Sequence, residues 1–248
     1  MQTFQRSQSY TPVMKANRKN TKSSSRPRKN RQTTTGGAKS TKKNRDQQSQ
    51  ATPTKLRIIG GHHRGRLIDY HGADFTRPMK DNIRENLFNI LGPSIRGRLA
   101  FDLFAGTGAL AFEALSRGAQ SAVMVEQNRQ AVQFLKRTSE TLDLVERSTV
   151  IHGDAFLAGA AQLSAPDDDT PWVVFLCPPY ALWESMLSEL KGLMARFWEH
   201  APIGSVLVAE TEKGFDPDLL PKANWDFRVY GNTRLGFIES EPVCGLRM

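Results

Sequence analysis

Between residues 98 and about 210, short apolar runs alternate with segments of helical period, and this alternation limits the fold more than any other feature. Arg98–Leu103, Ser121–Glu126, Ser148–His152, Trp172–Leu176 and Val206–Glu210 read as strands. Ala109–Arg117, a segment from Asn128 to Thr138 with Asn128 as its N-cap, and a long stretch over Ala181–His200 read as helices between them. Strands alternating with helices predict an α/β fold with a doubly wound, mostly parallel sheet. Two more strands, about Trp225–Tyr230 and Leu235–Glu239, meet at a Gly231-Asn232 turn with no helix between them, so they pair antiparallel. Ahead of the sheet, Leu56–Gly61 and Arg66–Tyr70 predict a hairpin. The segment 80–91 then places Ile83, Leu87 and Ile90 on one helical face, and Gly92-Pro93 ends that helix.

The chain has 248 residues and a net charge of +9, but the charge is not spread evenly. Residues 1–54 hold 13 Lys and Arg against one acid, Asp46, a net +12; the remaining 194 residues total −3. The low hydrophobic share of 39% has the same source, since Phe4 and Tyr10 are the only aromatics before residue 55. Such a segment buries too little apolar surface to offset its ordering entropy, so residues 1–54 read as a disordered basic tail and residues 55–248 as the folded domain. Runs such as Arg26-Pro27-Arg28-Lys29 suit nucleic-acid phosphates; a solvated tail without a partner and an organelle transit peptide are the other readings.

Several classes are excluded. No run approaches 18 apolar residues, so no membrane helix is expected, and the N-terminus lacks the apolar core of a secretory signal. Two cysteines, Cys177 and Cys244, make neither a disulfide framework nor an all-cysteine zinc site, and the default compartment is the cytoplasm. The five histidines have no ligand spacing with acids or cysteines, so no metal is expected.

In a sheet of this kind ligands gather beyond the carboxyl ends of the strands. The first strand delivers Asp102-Leu103-Phe104-Ala105-Gly106-Thr107-Gly108, whose glycines let the backbone turn sharply and approach a ligand. The second ends in Glu126, 20 residues after Gly106, where an acid can accept two ribose hydroxyls. These two features suit a nicotinamide dinucleotide and S-adenosylmethionine alike. The third leads to Gly153-Asp154-Ala155-Phe156, where Asp154 is either a helix cap or an acceptor for an adenine amine. The fourth ends in Cys177-Pro178-Pro179-Tyr180, which separates the two cofactors. A rigid turn presenting acceptors and an aromatic face suits methylation of an exocyclic amine on an extruded base and has no use in hydride transfer.

With these residues the chain resembles the class I S-adenosylmethionine-dependent methyltransferases that act on amines, which carry an (Asp/Asn/Ser)-Pro-Pro-aromatic motif at strand four. More closely it is similar to the RsmD type, bacterial enzymes that modify guanine N2 in small-subunit (16S) ribosomal RNA. The similarity spans residues 55–248. It includes Arg57-Ile58-Ile59-Gly60-Gly61 with Arg64-Gly65-Arg66, Arg77-Pro78 with the helix after it, the loop Asp102–Gly108 with Glu126, and the final Tyr230-Gly231 hairpin with Thr233 and Leu235.

The resemblance implies a Rossmann-like, seven-stranded sheet with one antiparallel strand, preceded by a β-hairpin and helix. It implies a monomer that acts on ribosomal RNA or an assembling small subunit. It implies a cofactor site of Arg77, Asp102, Phe104, Gly106, Gly108, Glu126, Asp154 and Ala155, a catalytic turn of Cys177, Pro178, Pro179 and Tyr180, and RNA contacts at Arg57, Arg64 and Arg66. Cys177 departs from the family, which has an acid or amide there, and a neutral thiol is a poor acceptor. Three outcomes follow: catalysis that leans on the Pro178 carbonyl, a slower enzyme, or an RNA-binding assembly factor that no longer methylates. A methyltransferase for another nucleic-acid base shares the same motif.

Overall fold

The structure, a computed structural model, describes residues 54–70, 72, 78–164 and 169–240. Arg77, Cys244 and the basic segment 1–53 lie outside the described residues. The described chain opens with an antiparallel hairpin, β1 (Thr54–Arg57) and β2 (Leu67–Tyr70), followed by helix α1 (Asp81–Leu91). Then come β3 (Leu99–Asp102), α2 (Ala109–Ser116), β4 (Ser121–Glu126), α3 (Arg129–Thr141) and β5 (Ser148–His152). A π turn, Ala155–Gly159, runs into the short α4 (Ala160–Gln162) before β6 (Trp172–Leu176). Helices α5 (Ala181–Ser185) and α6 (Leu187–His200) precede β7 (Val206–Glu212), β8 (Asp226–Tyr230) and β9 (Thr233–Glu239).

The seven-stranded sheet has the order β5-β4-β3-β6-β7-β9-β8. All strands run parallel except β9, which is antiparallel to both β7 and β8. The expected sheet, with one antiparallel strand, is therefore present, and the hairpin forms a separate two-stranded sheet ahead of it. Burial explains the doubly wound layout. All five residues of β6 are buried, with Val173 and Phe175 in one core and Trp172, Val174 and Leu176 in the other. The first core is filled by Leu87 and Phe88 of α1 and by Ala111, Phe112 and Leu115 of α2; the second by Leu190, Leu193, Met194 and Phe197 of α6.

One expected element differs. The stretch 181–200 is two helices broken at Met186, whose φ of −134° leaves the helical region. The two parts have different anchors. In α5 the indole of Trp183 is buried and donates to the Glu210 carbonyl at 2.7 Å, whereas α6 follows its own apolar face into the second core.

The hairpin is joined to the sheet by a buried acid. Glu113, in the mostly apolar α2, accepts the Ile59 N–H and the Gly60 N–H, each at 2.7 Å, and pairs with Arg117 Nε at 2.7 Å. Arg84 of α1 lies 4.0 Å from the same carboxylate and donates to the Arg57 carbonyl and to Asp81. Gly61 completes the joint. It has φ of +77°, and a Cβ there would stand 2.0 Å from the Ser116 carbonyl oxygen. Gly61→Ala therefore combines left-handed strain with a backbone collision. The expected loss is about 1–3 kcal/mol of stability for the strain alone, read as a lower urea midpoint.

Candidate active site

The chain leaves β3 for β4 and β5 on one side, then returns to place β6 against the other side of β3. In open sheets of this kind the ligand site lies where the strand order reverses, here beyond the carboxyl ends of β3 and β6. The residues singled out after β3, β4, β5 and β6 all lie on this end of the sheet.

Asp102 closes β3 and is fully buried. Burial pushes its carboxyl up to about 7; the nearby charge of Glu126 adds to this, while hydrogen bonds from the Ala111 and Phe104 N–H groups oppose it. Asp102 thus ties the loop to helix α2. Gly106 and Gly108 have φ of 51° and 74°, left-handed values that side-chain-bearing residues rarely adopt. The Gly106 N–H donates to Glu126 Oε2 at 2.8 Å, and the Asn128 N–H donates to Glu126 Oε1 at 2.7 Å. Each carboxylate oxygen is held by one backbone donor and keeps a second lone pair. Asn128 also caps α3, as expected, accepting from the Gln130 and Ala131 N–H groups.

Asp154 is a helix cap, its Oδ1 accepting from Phe156 and Leu157 N–H groups at 2.8 and 3.3 Å. Ala155 is buried, and the half-buried rings of Phe104 and Phe156 meet edge to face with centroids 5.9 Å apart.

At the end of β6, Pro178 is buried, Pro179 is exposed, and Cys177 and Tyr180 are half-buried. Burial pushes the Cys177 thiol well above its ordinary value; the carboxylates of Glu210 and Asp102 raise it further, and the Glu210 N–H opposes this. Cys177 is therefore a neutral thiol at physiological pH, and a thiolate is not the acceptor here. Tyr180 donates its hydroxyl to Glu210 Oε1 at 3.0 Å and has Thr233 Oγ1 at 2.9 Å. Burial is the main reason its phenol is pushed up to about 12.

Glu210 and Thr233 are the members that sequence patterning leaves unmarked. Glu210 shows there only as an acid at a strand end, and Thr233 only as part of the final hairpin. Arg57 Nε lies 3.0 Å from Asp81 at the start of α1. Arg64 and Arg66 do not join the site. Their turn packs on the C-terminal ends of α2 and α3, where the sheet strands begin: the His62 N–H donates to the Ser116 carbonyl and Arg66 Nη2 to the Thr141 carbonyl.

The sequence model of the family described as Conserved hypothetical protein 95 matches residues 56–238, nearly the whole described chain. The chain belongs to that family. It is 38% identical over 140 residues to the ribosomal RNA small subunit methyltransferase D of Escherichia coli (strain K12), covering 56% of this chain and 67% of that one. To the enzyme of the same name from Haemophilus influenzae it is 33% identical over 172 residues, covering 69% and 85%. The solved structure of yhhF from Escherichia coli superposes with a TM-score of 0.61 at 32% identity, over 76% of this chain and 99% of that chain. The matched range takes in the hairpin, the glycine turn and the Pro-Pro turn together.

Proposed function

We propose that this protein transfers the methyl group of S-adenosylmethionine to the exocyclic N2 amine of a guanine in small-subunit (16S) ribosomal RNA. The observation that carries this reading is the meeting of two turns at the switch point: Gly106–Gly108 held by Glu126, and Pro178-Pro179-Tyr180 held by Glu210. Relatives that align with 56% and 69% of the chain are named as small-subunit ribosomal RNA methyltransferases, which supports the coarser part of this reading.

The residues present fit the cofactor. Glu126 has spare acceptor capacity on both oxygens for a ribose diol, beside the half-buried Gly106. The Phe104–Phe156 pair offers an apolar flank for the adenine, and Asp154, with Oδ1 committed to its cap, has Oδ2 for the adenine amine. The Glu126 carboxylate favours a cation beside it. When bound, S-adenosylmethionine supplies a sulfonium methyl group with a good leaving group already in place.

The protein's own contribution is positioning. Tyr180 presents a ring whose hydroxyl is tied to two strands, so a guanine stacked on it is fixed in plane. The Pro178 carbonyl sits on a backbone that two prolines make rigid, and it accepts an amine hydrogen. Cys177 fills its place without charge. The proposal extends to a monomer acting in the cytoplasm, with residues 1–54 as a basic extension that holds RNA phosphates.

The test is transfer of labelled methyl groups to small ribosomal subunits that lack the modification. The native protein is expected to label them. Tyr180→Ala, which removes the stacking surface, lowers the rate by about 5- to 150-fold, the equivalent of ~1–3 kcal/mol of stacking. Labelling that is undiminished in Tyr180→Ala would contradict the assigned role of the ring.

A further inference from the structure

Cys177 leaves the amine site without the acidic or amide side chain that opens its motif. A carboxylate stands directly beside the gap. In the parallel pairing of β6 with β7, Leu176 is opposite Ala209, so Cys177 and Glu210 follow at the same height on neighbouring strands. Alternation along each strand sends both side chains to the face of Phe175 and Val208. Glu210 Oε1 accepts the Tyr180 hydroxyl at 3.0 Å, and Oε2 has no hydrogen-bond partner among the described residues. Glu210 is half-buried at the carboxyl end of the sheet.

We propose that Glu210 is the catalytic acid–base residue of this site: Oε1 anchors the Tyr180 ring, and Oε2 accepts a hydrogen of the guanine amine and then its proton. The inference rests on the proposed methylation of a guanine amine. The step balances. The amine nitrogen's lone pair forms the new N–C bond, the methyl carbon's bond to sulfur breaks with its electron pair left on sulfur, and the surplus proton on nitrogen passes to Oε2. Burial raises the Glu210 carboxyl above its ordinary value, which makes it a better proton acceptor than an exposed glutamate; the Tyr180 hydrogen bond partly offsets the rise.

Two readouts test the assignment. The first is binding of guanosine and of inosine, which lacks the 2-amine, to the full-length protein saturated with S-adenosylhomocysteine, followed by ligand-observed NMR. The native protein is expected to prefer guanosine by about 10-fold, the worth of one charge-assisted hydrogen bond, and Glu210→Ala to lose the preference. The second is single-turnover methyl transfer by Glu210→Gln, which keeps the shape and an acceptor oxygen but cannot take the proton. Its rate is expected to fall by about 100-fold, with S-adenosylhomocysteine affinity unchanged, whereas Tyr180→Phe falls by less than about 10-fold.

Equal binding of guanosine and inosine by the native protein would overturn the proposal. So would equal rate losses in Glu210→Gln and Tyr180→Phe, which would mean that Glu210 acts only by holding the ring. A native protein that prefers guanosine, with the preference lost in Glu210→Ala, but that transfers no methyl group would refute the proposed reaction while confirming the Glu210 contact.

Discussion

Glu126→Ala is expected to weaken binding of S-adenosylhomocysteine by about 100- to 1,000-fold in isothermal titration calorimetry, the equivalent of ~3–4 kcal/mol. The carboxylate does two things at once. It fixes the turn, because Gly106 donates to one oxygen and Asn128 to the other. It also presents the remaining lone pairs to a ribose diol, and hydrogen bonds to a charged group are each worth about 1.5–3 kcal/mol. Alanine removes both. Glu126→Gln keeps the length but replaces one acceptor oxygen with a donor that opposes the Gly106 or Asn128 N–H, so a loss of about 10-fold is expected. Unchanged affinity in the alanine variant would mean that the cofactor does not lie over this turn.

Glu113→Ala should destabilise the protein by about 3–5 kcal/mol, the cost of removing one partner from a buried ion pair. Glu113 is fully buried and serves the Ile59 and Gly60 N–H groups and Arg117 together, with Arg84 alongside. Alanine leaves two backbone donors unpaired. It also leaves Arg84, almost wholly buried, with Asp81 as its remaining acidic partner. For a domain of this size the melting temperature is expected to fall by roughly 6–20 °C in calorimetry, and limited proteolysis should cut first between β1 and β2. Arg57→Ala is the contrast. Its pair with Asp81 is exposed on both sides, and a loss below about 1 kcal/mol is expected. Similar losses from the two variants would show that the hairpin is not held through Glu113.

What was legible in the sequence is what local chemistry dictates. The alternation of strand and helix predicts the sheet because burial on both faces leaves apolar runs such as Trp172–Leu176. Asn128 is readable as a cap because its side chain bonds two residues close by in sequence. The glycine turn, Glu126 and the Pro-Pro turn are readable because each marks a strand end. Glu210 was not, since its importance depends on a register between strands more than thirty residues apart. Glu113 is a lone acid among the apolar residues of α2, and its partners lie in a hairpin more than fifty residues away. The break at Met186 has no glycine or proline to announce it and follows from where Trp183 is anchored. Arg64 and Arg66 share a basic hairpin with Arg57, yet the docking of that hairpin sends their turn to the opposite end of the sheet.

The most direct test of the central claim is the chemical identity of the methylated product. Small subunits lacking the modification are labelled with the native, full-length protein, the ribosomal RNA is digested to nucleosides, and the label is assigned by mass spectrometry. The account predicts N2-methylguanosine. Label in a methylated adenosine or on a ring carbon would contradict the assigned substrate. No label at all from a protein that binds S-adenosylhomocysteine would mean that Cys177 marks a methyltransferase fold kept for binding alone.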